Sequence, residues 1–299
     1  MLVKKILIIL FILFLSFYRI GNAAEGIWID LKSGAIVSQK ELLEDLSKAR
    51  IIYLGEVHTL HSHHKAQFEL LKLLYNRHIP LALALESLEA KDQKIIDQFI
   101  NGQLSFKQFS EAIQWKKKWP NYLDYKPLCL FAQKHHIPLI GIDTPHSIVS
   151  NVARKGYNSI TKKEKAEFPL ATITPLYRRF LTPYLSVHAF MDKKRIALAI
   201  EAQRLRESSM AKHILSFLNS PLGSQRTICV VTGEIHVRYG LGIPQLTQPF
   251  AQRILLFGSK EPLHLSKREK QISKQLVLDH QSFSFIPSTV ADYFEVLAF

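Results

Sequence analysis

Short, almost wholly apolar runs alternate with longer amphipathic stretches along this chain, and that alternation limits its fold more than any other feature. Residues 50–55 (RIIYLG), 81–86 (LALALE), 138–142 (PLIGI), 227–232 (TICVVT) and 252–257 (QRILLF) each have the length of a strand. Strands buried on both faces read as continuous apolar runs, the mark of a parallel sheet. The intervening stretches carry apolar residues at helical spacing, as at Phe68, Leu71, Leu74 and Tyr75 behind a Ser62 cap. The pattern predicts an α/β fold whose mostly parallel sheet is built from βαβ units. Helices expected at 92–100, 106–115 and 127–136 make a helical cap over about 90–135. Further helices are expected at 148–156 and 194–218. Between them lies a variable insertion over about 157–190, in which 161–185, rich in Lys, Thr and Pro, gives no clear periodicity. A charged, solvent-facing stretch is expected at 260–274 and a last edge strand at 291–299.

Lys4 and Lys5, an apolar run over 6–17 and the small residues Gly21, Asn22 and Ala23 follow the order of a secretory signal. The run is shorter than the roughly 20 residues a spanning helix needs. Cleavage after Ala23 is expected ahead of retention as an uncleaved anchor, leaving 24–299 as a single exported domain, periplasmic or membrane-associated. Residues 1–23 hold no lipobox cysteine for lipid attachment. The formal charge of +14 falls to +11 once Lys4, Lys5 and Arg19 leave with the signal. Such a surplus favours anionic partners. Export and the lack of any recognisable binding motif argue against nucleic acid. Cys229 within a strand and Cys129 on an apolar helical face read as two buried free thiols.

One arrangement carries the chemistry. The first strand ends in Gly55-Glu56-Val57-His58 and the fourth in Gly233-Glu234-Ile235-His236. In extended backbone, residues two apart point the same way, so each Glu and its His are expected to face one cavity, with the glycine letting the chain turn out of the sheet. Glu86 closes the second strand, Asp143 the third, and Arg154 follows a little beyond. Ligands of open parallel sheets sit outside the carboxyl ends of the strands. Either motif alone is more often a strand-end turn with a satisfied histidine; two copies at equivalent places favour a site. His61 and His64 read as solvated residues at a helix start, and their spacing matches no zinc site. Trp115, Trp119, Tyr122 and Tyr125 read equally as the core of the cap or as an apolar wall over the strand ends. Serine-hydrolase, NTPase and dinucleotide signatures are absent.

The run LGEVHTLHSHHKAQFELLKLL, then ALESLEAKDQ, the segment from Trp119 through YKPLCLFAQ, DTPHSIVSNVARKG, EAQRLRESSMA and TGEIHVRYGLGIP resemble, in that order, the ChaN-like haem-binding uptake proteins of the wider TIKI, TraB and erythromycin-esterase-like superfamily. The resemblance covers about residues 51–244 and extends to Asp292-Tyr293-Phe294. It implies a parallel-sheet fold with haem between the strand-end loops and the cap, in a homodimer with stacked haems, and outer-membrane haem-uptake components as partners. It also implies a tyrosine as iron ligand, for which Tyr239 and Tyr125 are the candidates. His58 and His236 would be pocket residues, and Arg154 a partner for a propionate or for Glu56 and Glu86. Glu234 stands where the family often has a less acidic residue, which brings the motif nearer the hydrolytic branches.

Three readings compete. The first is a haem-binding protein of iron uptake. The second is a peptide or ester hydrolase in which Glu56, His58, Glu86, Glu234 and His236 activate water, with or without a divalent metal. The third is a scaffold that kept the fold without the chemistry, in which those residues would splay apart.

Overall fold

The computed structural model describes residues 26–188, 193–261 and 283–296. The signal sequence expected over 1–23 and most of the charged stretch expected at 260–274 lie outside the described residues. The strands are β1 (Ile27–Asp30), β2 (Ile36–Val37), β3 (Ile51–Glu56), β4 (Leu81–Glu89), β5 (Leu139–Asp143), β6 (Thr227–Gly233), β7 (Gln252–Phe257) and β8 (Tyr293–Val296). They form one sheet in the order β2-β1-β8-β7-β3-β6-β4-β5. All pairings from β8 to β5 are parallel, and β1 and β2 add an antiparallel edge.

The helices are α1 (Gln39–Leu46), α2 (His61–Asn76), α3 (Gln93–Ile100), α4 (Phe106–Ala112), α5 (Trp115–Lys118), α6 (Lys126–Lys134), α7 (His146–Lys155), α8 (Lys162–Glu167), α9 (Pro175–His188), α10 (Lys193–Leu218) and α11 (Ile243–Leu246). The central strands are buried along their whole length on both faces, which is why their sequences do not alternate. One face carries Ile52, Leu54, Leu81, Leu83, Leu85, Cys229 and Val231 against α1, α2 and the cap helices α3 to α6. The other carries Ile51, Tyr53, Ala82, Ala84, Ile228 and Val230 against Met210, Ala211, Ile214 and Leu218 of α10. Both cysteines are free and buried, as expected.

Three features depart from the sequence reading. The last strand, β8, is interior and lies between β1 and β7, because the short β1–β2 hairpin covers its other side. The stretch 161–185 is helical: α8 starts at a reciprocal Thr161/Glu164 capping box, and the Thr174 hydroxyl accepts from Tyr177 N at 3.1 Å in the first turn of α9. Ser62 does not cap α2. The side-chain carboxylate of Glu261 accepts from His61 N at 3.0 Å and Ser62 N at 2.5 Å instead.

The β1–β8 seam buries an acid. Glu295 lies opposite Trp28, and its Oε2 has no hydrogen-bond partner among the described residues. Burial pushes its carboxyl up from 4.5 to about 7. Folding therefore favours the protonated form, and stability is lost as pH rises from about 4.5 through about 7. Glu295→Gln should be near neutral at about pH 4 and stabilising by about 2–3 kcal/mol at about pH 8, as read by urea denaturation at both pH values.

Candidate functional site

The two-residue periodicity of the strands decides which acid faces which way. Glu56 continues the row of Ile52 and Leu54 toward α2 and the cap. Its Oε1 accepts from Tyr125 Oη at 2.5 Å and His58 Nδ1 at 2.8 Å, and its Oε2 from Gln67 Nε2 at 2.8 Å. His64 Nδ1 stands 3.4 Å away. Glu86 continues the row of Ala82 and Ala84 toward α10. Its Oε2 accepts from Thr232 Oγ1 at 2.6 Å and Gly233 N at 2.7 Å, and its Oε1 from Arg206 Nη2 at 2.6 Å. His58, two residues beyond the end of β3, reaches round the sheet: its Nε2 lies 3.8 Å from Glu86 Oε1.

Helix α10 supplies the remaining polar groups. Arg206 holds Asp143 with two hydrogen bonds, Nε to Oδ1 at 2.9 Å and Nη2 to Oδ2 at 2.7 Å. Glu207 accepts from His236 Nδ1 at 3.2 Å and from Tyr177 Oη at 2.6 Å. His236 Nε2 is 3.4 Å from Glu86 Oε1. The result is a continuous series, Tyr125–Glu56–His58–Glu86–His236–Glu207–Tyr177, running from the cap to α9. Within it only His58 is substantially open, its side chain being 34% exposed, whereas Glu56, Glu86, His236 and Glu207 are buried.

The electrostatics follow from this pairing. Burial works to raise the Glu56 carboxyl, but His58, the charge of His64 and the Tyr125 hydroxyl hold it below the usual range. Burial likewise opposes ionisation of Glu86, yet His236, Arg206 and His58 hold it well below. Desolvation disfavours charge on His58, and Glu86 and Glu56 outweigh it, so the imidazole is raised. The same contest leaves His236 raised to about 9, through the charge of Glu86 and the hydrogen bond to Glu207. Asp143 is raised by burial despite Arg206, and the Tyr125 phenol is pushed well up by burial and the Glu56 charge.

The structure brings Glu56, His58, Glu86, Asp143 and His236 together, as the sequence suggested; the splaying that would have favoured the scaffold reading is not found. It does not place the second motif like the first. After β6 the chain turns into a single 3-10 turn, Glu234–His236, so the extended geometry is lost. Glu234 pairs with Arg238 at 2.9 Å, and Glu207 takes the place beside His236. Arg154 lies exposed on α7 and bonds the Ser150 carbonyl at 3.2 Å; the guanidinium among the acids is that of Arg206. His64 is buried, with Nε2 2.9 Å from the His58 carbonyl oxygen, and is not a solvated helix-start residue; His61 is exposed.

The motif glycines act by lacking a side chain. A Cβ on Gly233 would stand 2.9 Å from His58 Nε2, and one on Gly55 would stand 2.6 Å from Leu256 and 3.2 Å from Glu234 Cα. Each motif makes room for the other.

The two tyrosines go to different places. Tyr125 is buried against Trp115 with its hydroxyl on Glu56. Tyr239 is half-buried among Phe180, Phe283 and Tyr184 in a separate aromatic cluster. The cap serves both of its expected roles: Trp115 is core, while half-buried Trp119 sets its ring edge-on to His58 with centroids 4.7 Å apart. Half-buried Tyr122 packs on Phe106 and Trp115 of the cap. A groove of about 680 Å³ lies at the opposite end of β5, lined by Gln93, His136, Phe217 and Leu222, and none of the site residues reaches it.

The model of the family described as "Haem-binding uptake, Tiki superfamily, ChaN" matches residues 42–246. The chain belongs to this family. Among solved structures it resembles ChaN of Campylobacter jejuni, described with cofacial haem binding, at a TM-score of 0.63 and 18% identity over 92% of this chain and 97% of that one. This likeness confirms the fold. Among curated proteins it is 23% identical over 220 residues to RETICULATA-RELATED 5, chloroplastic, of Arabidopsis thaliana, an alignment covering 68% of this chain and 29% of that protein's length. Among the described residues, no group of three or more His, Cys, Asp and Glu side chains is arranged to hold a metal ion, and no helix is long and apolar enough to cross a membrane.

Because His236 is raised, its imidazolium stabilises the fold fully below about pH 6.5, and that contribution is lost as pH rises through about 9. An NMR titration of the ring should show a midpoint near 9, and Glu207→Gln should lower it by about one unit or more. A midpoint near 6.5 would refute the charged state assigned to His236.

Proposed function

We propose that this chain is an exported haem-binding protein of haem and iron uptake, which takes its ligand at the carboxyl ends of the strands. The observation that carries the reading is the mouth of the site. There a half-exposed imidazole, His58, sits edge-on to Trp119 above a floor of buried, mutually paired acids and bases. An apolar rim beside a few convergent polar groups suits a flat ligand with anionic edges. Family membership supports haem as that ligand.

Tyr239, in the aromatic cluster apart from His58, is the more accessible iron ligand of the two candidates. It is only half-buried, whereas Tyr125 would have to abandon Glu56. A homodimer with facing haems and outer-membrane uptake partners complete the proposal. An absorbance titration of the protein lacking residues 1–23 with hemin tests it. A saturable Soret change is expected, lost in Tyr239→Phe and kept in Tyr125→Phe. Its absence in the wild type would overturn the haem reading.

The Glu56–His58 pair favours a second reading. A carboxylate at 2.8 Å orients an imidazole that is open to solvent, the arrangement a general base requires. In that reading the protein hydrolyses esters or peptides with His58 Nε2 activating water, Glu56 holding the ring through Nδ1, and Glu86 and His236 as charged neighbours. Turnover of a panel of ester and peptide substrates, reduced about 100-fold or more in His58→Ala, would support it. A complete lack of turnover would leave haem capture alone.

A further inference from the structure

The charge surplus of this chain is concentrated in one stretch. Residues 154–195 hold ten Lys and Arg against three acids, a net +7, whereas 24–299 as a whole carries +11. Elsewhere lysines stand beside acids, as Lys40 does with Glu44, Lys72 with Glu69, and Lys91 and Lys118 with Glu89. Here they do not. Among the described residues, none of Arg154, Lys155, Lys162, Lys163, Lys193 and Lys194 forms an ion pair with a carboxylate. The acids near them are engaged by backbone: Glu164 accepts from Thr161 N at 2.7 Å and Glu201 from Tyr157 N at 2.8 Å.

The fold gathers these cations. Gly156, just past α7, packs on α10: a Cβ there would stand 3.2 Å from Leu198 Cδ2 and 3.3 Å from Glu201 Oε2. Lys165 Nζ reaches back from α8 to Asn158 Oδ1 at 3.2 Å. The end of α7 (Arg154, Lys155), the start of α8 (Lys162, Lys163) and the start of α10 (Lys193, Lys194, Arg195) therefore share one end of the helical layer, and all seven residues are exposed. They do not serve the helices that carry them. Five of the seven lie in a first turn, where the helix dipole favours acids and disfavours cations. Like charges at adjacent positions add repulsion, which an anionic partner would relieve. We propose that this end of the helical layer is a docking surface for a bilayer of anionic phospholipid, which holds the protein on a membrane by charge. Such docking needs neither a lipid anchor nor a spanning helix, since each Lys or Arg near an anionic surface strengthens binding roughly fivefold. From Lys193, α10 runs to Arg206 of the acid network, a rise of about 20 Å, so the docked protein keeps its site clear of the lipid headgroups. The surface belongs to the folded chain and stands whether or not the ligand is haem.

The test is co-flotation of the protein lacking residues 1–23, which keeps every described residue, with vesicles of phosphatidylglycerol and phosphatidylcholine mixed about 3:7. At about 50 mM salt it should bind these at least about tenfold more tightly than phosphatidylcholine alone, and about 300 mM salt should remove most of that preference. The triple variant Lys162→Glu, Lys163→Glu, Lys194→Glu should bind about 30-fold or more weakly. A control with the same change of charge, Lys48→Glu, Lys65→Glu, Lys134→Glu, alters exposed residues in the layer on the other face of the sheet and should lose about threefold or less. The first variant places an acid in a first turn at each position, so its urea midpoint should stay level or rise, which separates lost docking from lost folding. Equal losses in the two variants would overturn the docking surface. So would a wild type with no preference for phosphatidylglycerol, or one that binds soluble polyphosphate and not these vesicles. Each of these results leaves the hemin titration, and the haem reading it tests, untouched.

Discussion

The site is organised by a single buried carboxylate, Glu86. Ionised and 1% exposed, it would be strongly destabilising on its own, since burying an unpaired charge costs several kcal/mol. It is tolerable because two kinds of donor meet it. Thr232 and Gly233 N, neutral groups of the neighbouring strand β6, fix one oxygen, and the basic groups of Arg206, His236 and His58 surround the other. The strand pairing places the neutral donors, because β4 and β6 are hydrogen-bonded neighbours. Helix α10, the loop after β6 and the loop after β3 place the basic groups. Removing any one of these basic groups leaves the acid less compensated, so these segments are energetically tied at one point.

That tie explains why the first Gly-Glu-x-His motif crosses from one side of the sheet to the other. Glu56 and Glu86 continue rows of side chains on opposite faces, one under the cap and one under α10. No residue inside a strand can touch both. His58 can, because it lies past the end of β3, where the sheet no longer separates the faces, and because Gly233 leaves its ring room. A perturbation at this exposed imidazole is thereby felt by the acid networks of both faces.

Most of the framework was legible in the sequence for a physical reason. Strands buried on both faces must be apolar throughout, so β3, β4, β5, β6 and β7 stand out against amphipathic helices. What escaped was short or dependent on partners far along the chain. The β1–β2 hairpin has four-residue and two-residue strands, too brief for any period to register. The interior position of β8 depends on that hairpin. The 161–185 stretch hid its helices behind Lys, Thr and Pro, although the Thr161–Glu164 spacing was a start signal present in the sequence. Within the site, residues at strand ends were readable, since a polar residue closing an apolar run is conspicuous. Arg206, Glu207 and Gln67 were not, because each lies mid-helix, where polar residues ordinarily face water. The one available clue was the density of charge in EAQRLRES, more than a solvent-facing stripe of a partly buried helix needs.

The repeated motif shows where sequence symmetry stops being structural symmetry. Both copies follow a parallel strand, and Gly55 and Gly233 both serve by lacking a Cβ. Yet β3 stays extended through Glu56, keeping its acid buried beside His58, whereas β6 ends at Gly233 and its next three residues coil into a 3-10 turn. That turn sends Glu234 out to Arg238 and leaves His236 without its own acid, and α10 repairs the loss with Glu207. The two histidines thereby acquire different work. His236 is buried between Glu86 and Glu207 as a fixed positive charge, while His58, held from one side only, stays partly exposed. One charged anchor and one more open imidazole therefore meet at the same acid.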